Sequence, residues 1–343
     1  MDAKYRIHNA PTTHALEQGA RIGSNMAIVH SVGPCSHLRF DPCPETGRYM
    51  DEFPIYFDDY PKVATLRRSA DAGWIEPLKR ELHALCKRSL DLGMKPVFHF
   101  YEPQLPLVFE REYPDLVGLW RRETQGGTVD VHTCLDPDNP ETWTLIKSKY
   151  RELAVEFPQV ALFIVTTGDI AGTYWGIPEA EMSRVDRLVN QAVAAQEGIK
   201  EAGSEGKVCF RLWWRNHPDT FYSDAARMIA EATGLDNAVD LMNPVMKPRN
   251  DPATVIPELL DKLPADMPVM YKSTPMDIHD NVPLTEAAGK YPPDREQILE
   301  ISYEQYHRKP WPWAKVRHIR TGLEGVRKHK LSGYVSLPIS MGN

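Results

Sequence analysis

Two carboxylates frame the most informative stretch of this chain, residues 267–304. Met267-Pro-Val-Met-Tyr271 is an apolar run that passes straight into Lys272-Ser-Thr-Pro-Met-Asp277-Ile-His279-Asp280. A second run, Gln297-Ile-Leu-Glu-Ile-Ser-Tyr303, closes on Glu304-Gln-Tyr306. Both read as short buried strands. Each delivers polar and acidic residues where it ends, which is how a parallel α/β barrel gathers an active site at one face. Asp277 and Glu304 are therefore expected to face one pocket from neighbouring strands. Paired carboxylates beside a cation suit acid–base work on a polar substrate such as a sugar. A single acid is more simply a helix cap or half of an ion pair, but two at adjacent strand ends favour a function. Glu300 and Glu296 flank Glu304, and strand alternation is expected to point them elsewhere.

Other candidates follow other apolar runs. Asp169 comes after Val160-Ala-Leu-Phe-Ile-Val165 and Gly168. It is a turn aspartate or, across a barrel mouth from Asp277, a catalytic acid. Glu102 follows Pro96-Val-Phe-His-Phe-Tyr101 and is the reserve candidate, read otherwise as a surface charge held by the next proline. Lys272 and Arg215 end the sixth and fifth runs. An ammonium and a guanidinium fork suit a substrate carboxylate, or else balance Asp277 and its neighbours. Trp175 and Trp214 offer flat faces for a sugar ring, as do Trp311 and Trp313, although most tryptophans are core. His279 is grouped with the substrate-binding residues. His99, His217 and His279 all follow strands, but their spacing matches no HxH or HExxH pattern, so no metal is expected. There is no Walker loop and no GxGxxG between a strand and a helix.

These groups need a scaffold. Apolar runs predict strands at Tyr5–His8, Met26–His30, Pro96–Tyr101, Val160–Val165, Val208–Trp214, Met267–Tyr271, Gln297–Tyr303 and Gly333–Leu337. Helical spacing predicts helices over Thr13–Arg21, from Trp74 to the stop at Gly93, from Asn139 to Phe157, over Met182–Ile199, Ala225–Thr233 and Thr254–Leu263, and from Val316 to Val326. Asn139-Pro140-Glu141 combines a cap, an N1 proline and a first-turn acid. Eight strands alternating with helices predict an α/β fold, a (β/α)8 TIM barrel, with long loops after strands 2 and 3 covering 31–73 and 102–138. One domain, residues 1–343, is expected. The chain stops just past the eighth strand, so the closing helix is expected to be missing. Either the N-terminal residues cover that gap or the sequence is a fragment.

Composition narrows the class. A net charge of −7 gives no reason to expect nucleic acid. No basic helix or 18-residue apolar run points to a membrane, and no apolar leader opens the chain, so a cytoplasmic enzyme is the default expectation. Five cysteines, with no CxxC, make neither a disulfide framework nor a zinc ribbon. Cys35 and Cys43 share one loop and could meet, but free thiols suit a reducing compartment better.

Lys272-Ser-Thr-Pro-Met-Asp277 resembles the sixth-strand motif of α-glucuronidases of glycoside hydrolase family 67. Ile301-Ser-Tyr-Glu304 resembles their seventh-strand segment, and Leu212-Trp-Trp-Arg215 their fifth-strand Trp-Arg. Leu162-Phe-Ile-Val165 resembles the strand before their catalytic acid, and Gly333-Tyr-Val-Ser their last strand. Order and spacing agree. The resemblance covers the family's barrel, without its N-terminal β domain or C-terminal helical domain. It implies that Asp277 and Glu304 activate a water as general base and that Arg215 and Lys272 bind a uronic carboxylate. It also implies an inverting mechanism with no cofactor. Two positions depart from the pattern. Thr166 stands where the family has a lysine. The family's acid is a glutamate in a Ser-Glu-Gly setting, and Asp169 is the nearest equivalent, one position off and one methylene shorter.

The expectation is an exo-acting, inverting α-glucuronidase-like glycosidase that releases a terminal uronic acid from an oligosaccharide. Asp169 is the acid, and Asp277 and Glu304 direct the water. The rivals are a barrel glycosidase for a neutral or modified sugar, a carbohydrate-binding barrel without its acid, and a metal-dependent hydrolase.

Overall fold

A computed structural model describes residues 3–32, 53–102, 105–106, 108–118, 121–124, 127–130, 134–167, 181–212, 252–273, 289, 295–302 and 316–337. The sequence predicts eight strands in parallel, and the structure closes them into one barrel. In chain order they are β1 (Tyr5–Asn9), β2 (Met26–Val32), β3 (Lys95–Glu102), β4 (Leu162–Thr167), β5 (Lys207–Leu212), β6 (Val269–Lys272), β7 (Gln297–Ser302) and β8 (Gly333–Leu337). Each pairs with its sequence neighbours, and β8 returns to β1 through Tyr5↔Gly333 and Ile7↔Val335.

Alternation divides the strand residues between two cores. Tyr5, Ile7, Met26, Ile28, Val97, Leu162, Ile164, Cys209, Met270, Ile298 and Val335 form one cluster to which all eight strands contribute and no helix does. That cluster fills the barrel interior. The intervening residues, such as Val29, Phe98, Phe100, Phe163, Phe210 and Tyr271, join helix residues in the larger cluster outside it. Strands buried on both faces must be apolar nearly throughout, which is why these runs stand out in the sequence.

The helices are α1 (Thr13–Arg21), α2 (Pro61–Ala70), α3 (Ala72–Asp91), α4 (Val108–Glu112), α5 (Pro140–Glu156), α6 (Arg184–Glu201), α7 (Pro252–Lys262) and α8 (Val316–Lys328). Caps set several of their starts. The Asn139 side chain accepts from the Glu141 amide at 3.0 Å, and the Ser183 hydroxyl accepts from the Asp186 amide at 3.1 Å. α5 and α6 lie so close that a Cβ on Gly198 would stand 2.1 Å from the Lys147 carbonyl.

The connections after β2 and β3 hold more structure than loops. α2 occupies 61–70, inside a stretch the sequence assigns to loop. Its apolar positions are few, and the proline that reads as loop is its N1 residue. After β3 come α4, a 3₁₀ turn (Pro114–Leu116) and two small antiparallel pairs, 117–118 with 134–135 and 121–124 with 127–130. The predicted helix over 225–233 lies outside the described residues. No helix among the described residues is long and apolar enough to cross a membrane.

Two charges, the buried Arg67 and the half-buried Glu152, fix the segment before α2. Arg67 donates through Nε and Nη2 to the Ile55 carbonyl, and through Nη2 to that of Phe53, at 2.8–3.0 Å. Glu152 on α5 accepts from the amides of Tyr56, Phe57 and Asp58 at 2.7–3.2 Å. Burial pulls the Arg67 guanidinium down to about 10, with Asp71 and Glu152 working against the fall.

Barrel closure makes a direct prediction. A Cβ on Gly333 would lie 2.0 Å from the Tyr5 carbonyl oxygen, a backbone atom that cannot swing away. Gly333→Ala should destabilise the protein by about 1–3 kcal/mol in urea unfolding, the cost of overpacking. Gly73, in α3 with nothing within 4 Å of its would-be Cβ, is the control. Gly73→Ala should stabilise by up to about 1 kcal/mol. Equal midpoints for wild type and Gly333→Ala would contradict the closure between β1 and β8.

Candidate active site

Near the C-terminal ends of the strands the interior changes from apolar to polar. Alternation carries His99, Thr166, Arg211 and Glu300 inward, one step beyond the apolar layer of Val97, Ile164, Cys209 and Ile298. Arg211 on β5 and Glu300 on β7 meet across the intervening β6. Nη2 of Arg211 donates to Oε1 of Glu300 at 2.7 Å, and its Nε donates to Oε2. Both side chains are 0–1% exposed. A guanidinium and a carboxylate can share a dry interior only in such a two-point pairing.

His99 belongs to the same layer. Its Nε2 lies 2.8 Å from the Thr166 hydroxyl and its Nδ1 3.3 Å from the Ser31 hydroxyl. Burial, together with the Arg211 charge, lowers its pKa to about 3, and Glu300 offsets only part of that. The imidazole is neutral at pH 7, with one nitrogen donating and the other accepting.

The expectation for Glu300 and Glu296 is corrected here. Positions 296 and 300 are separated by an even step, so a period of two turns both to one face. Glu300 enters the barrel. Glu296 sits at the opposite end, accepting from the Tyr5 hydroxyl at 2.6 Å and from the Lys4 ammonium. Burial and the Glu296 carboxylate push the Tyr5 phenol upward.

Glu102 is not the surface charge of the plainer reading. It ends β3 on the outer face, beneath α5, where Lys149 Nζ donates to it at 2.7 Å and the Tyr150 hydroxyl at 2.9 Å. Glu102 and Lys149 are each 1% exposed. Lys149 Nζ also stands 3.7 Å from the centroid of the Phe53 ring. Burial lowers the Lys149 pKa, and Glu102 opposes the fall. Glu102 thus joins β3 to α5.

The remaining predicted groups are placed only by their strands. β6 and β7 are adjacent and parallel, with Lys272 opposite Glu300 in the register. Lys272 is the last residue of β6. Asp169, Trp175, Trp214, Arg215, Asp277, His279 and Glu304 lie outside the described residues, as do His217, Trp311 and Trp313. Among the described residues, no three His, Cys, Asp or Glu side chains are grouped to hold a metal ion. Cys86 and Cys209 are free and buried.

The Arg211–Glu300 pair was open to inference from sequence. Each charge interrupts an apolar run, Cys-Phe-Arg-Leu in one and Ile-Leu-Glu-Ile in the other. A charge in a strand buried on both faces requires a partner. Two opposite charges in strands of one barrel are each other's natural candidates.

No family model matches the chain, and no curated protein matches it. Solved structures do. A GH138 enzyme targeting pectin rhamnogalacturonan II is 12% identical with a TM-score of 0.44. The match covers 94% of this chain and 30% of that one, so the chain spans about a third of its length. The family 1 β-glucosidase from Thermotoga maritima is 13% identical with a TM-score of 0.43, covering 94% of this chain and 76% of that one. A putative phosphonomutase from Burkholderia cenocepacia is 9% identical with a TM-score of 0.35, covering 98% and 87%.

The neutral His99 has a consequence for acid stability. Its folded pKa of about 3 is depressed from the 6.5 of an unperturbed histidine. Between those values the unfolded chain binds the extra proton. The histidine's contribution to stability is therefore complete above pH 6.5 and is lost as pH falls toward 3. His99→Gln removes the titration. The stability gap between wild type and His99→Gln should shrink from pH 7 to pH 4, measured by urea unfolding at each pH. A gap that stays constant would mean that His99 is not held neutral.

Proposed function

We propose that this chain is an inverting, exo-acting α-glucuronidase-like glycosidase that releases a terminal uronic acid from an oligosaccharide. The observation that carries the reading is the pairing of β6 with β7. The segments that resemble the family's sixth- and seventh-strand motifs begin within the last two residues of β6 and β7, which are adjacent parallel strands. The acids following them, Asp277 and Glu304, are then contributed from neighbouring strands, as a shared general base requires.

In the proposed mechanism Asp277 and Glu304 direct a water at the anomeric carbon. One carboxylate is ionised at neutral pH and takes the proton as the water attacks. Asp169 protonates the departing glycosidic oxygen from the other side. Single displacement needs the acid and base ~6.5–9.5 Å apart, leaving room for the water. Arg215 and Lys272 take the substrate carboxylate, Trp175 and Trp214 provide apolar faces to the ring, and His279 is a further substrate-binding group. No cofactor enters the scheme.

Thr166 favours a second reading, a related glycosidase for a neutral or modified sugar. The family pattern has a lysine at this position, whereas the Thr166 hydroxyl is engaged with His99 below the rim. One cation for a uronic carboxylate is replaced by a neutral group.

Hydrolysis of 4-nitrophenyl α-D-glucuronide and the corresponding glucoside tests both readings. Asp277→Ala and Glu304→Ala should each lower kcat by about 10²–10⁴-fold, with a smaller change in KM. The double variant should lose little more than the worse single one. Near-normal kcat in both single variants would sink the proposed base. Arg215→Ala should raise KM for the glucuronide far more than for the glucoside. Equal losses on both substrates would make Arg215 structural and favour the neutral-sugar reading.

A further inference from the structure

β2 carries an irregularity that decides which residue reaches the barrel mouth. Along β2 and β3, Met26, Ala27 and Ile28 pair with Lys95, Pro96 and Val97. The register then shifts, and His30, Ser31 and Val32 pair with Phe98, His99 and Phe100. Val29 is the extra residue. Such bulges are uncommon between parallel strands, and where they occur at barrel rims they re-aim side chains.

Without the extra residue, plain alternation from the inward Ile28 would turn His30 into the barrel and Ser31 away. With it, His30 joins the outer core, its ring 5.3 Å from that of Phe98 and 5.7 Å from that of Phe100. Ser31 takes the inward place beside His99. Ser31 is exposed, whereas His99 and Thr166, 2% and 0% exposed, are buried. The row Thr166–His99–Ser31 therefore begins in the dry interior and ends on an exposed residue. In either tautomer His99 takes up only part of the hydrogen-bonding capacity of Ser31, since a hydroxyl has one proton and two lone pairs.

From this geometry we infer that Ser31 is a substrate-contacting, specificity-determining residue, its hydroxyl oriented by His99 to bind one ring hydroxyl of the terminal sugar. His99 and Thr166 are positioning residues behind it. The inference rests on the sugar-processing reading above and adds a polar contact from β2, on the side of the barrel away from β6 and β7.

Calorimetric titration with D-glucuronate, D-glucose and their monodeoxy analogues tests it. Ser31→Ala should weaken binding of the preferred sugar by about five- to tenfold, the worth of one hydrogen bond. Ser31→Thr, which keeps the hydroxyl, should restore most of it. One deoxy analogue should bind wild type and Ser31→Ala equally, identifying the hydroxyl that Ser31 reads. Unchanged melting temperatures should accompany the loss, since Ser31 is exposed. A loss below twofold overturns the inference while leaving the proposed function intact. The same loss on every analogue also overturns it, because no single hydroxyl would then be recognised. If wild type binds neither sugar, the proposed function and this inference fail together.

Discussion

A closed parallel sheet leaves no room for an unpaired charge, and Arg211 and Glu300 are two charges inside one. Removing both ions from water costs several kcal/mol each, recovered only by close pairing and further hydrogen bonds. The pair is therefore weak evidence of stability, and apolar residues of similar volume could fill the space as well. What the pair does provide is a polar environment inside the barrel near the C-terminal ends of its strands. His99 senses it directly: the Arg211 cation adds to burial in keeping the ring neutral. The hydroxyls of Ser31 and Thr166 lie against that neutral ring. The order of polar groups along β2, β3 and β4 thus depends on a charge pair held by β5 and β7.

The barrel was legible because its strands are buried on both sides. Runs such as Leu162-Phe-Ile-Val165 have few alternatives, and the predicted strands match the observed ones to within about three residues at each end. α5 is equally clear, with its cap at Asn139, whereas the apolar spacing starts α6 at Met182, two residues before its first helical residue beyond the Ser183 cap. Local pattern failed where tertiary packing decides. α2 escapes local pattern because few of its residues are apolar and Arg67, which looks like surface, is fully buried. A bulge leaves no mark in hydrophobic pattern, so nothing in Met-Ala-Ile-Val-His-Ser announces that Ser31 and not His30 turns inward.

The candidate site was legible in part. Sequence placed acidic residues after β4, β6 and β7, and the barrel brings β6 and β7 side by side. It misjudged Glu300 by taking alternation to turn it away from the interior, although its spacing from Glu304 is even. It offered Glu102 as either a site residue or a surface charge. The side chain is neither exposed nor turned into the barrel, since the partner that buries it, Lys149, is 47 residues away. Long-range pairs of this kind cannot be read from neighbours in the chain. The lysine itself looked like one more polar residue on an amphipathic helix.

α5 also bears on the order in which the molecule can be assembled. Its Glu152 receives the amides of residues 56–58 across 94–96 positions of chain, and its Lys149 and Tyr150 hold Glu102 across 47 and 48. During synthesis at about 5–20 residues per second, the first of these segments waits on the order of 5–20 s for its acceptor to emerge. Until then Glu102, at the end of β3, lacks the Lys149 and Tyr150 partners that bury it. Such contacts are slow to form because a long loop must close before they repay its entropy. The polar contacts that fix residues 56–58 and Glu102 are thus completed only when α5 arrives.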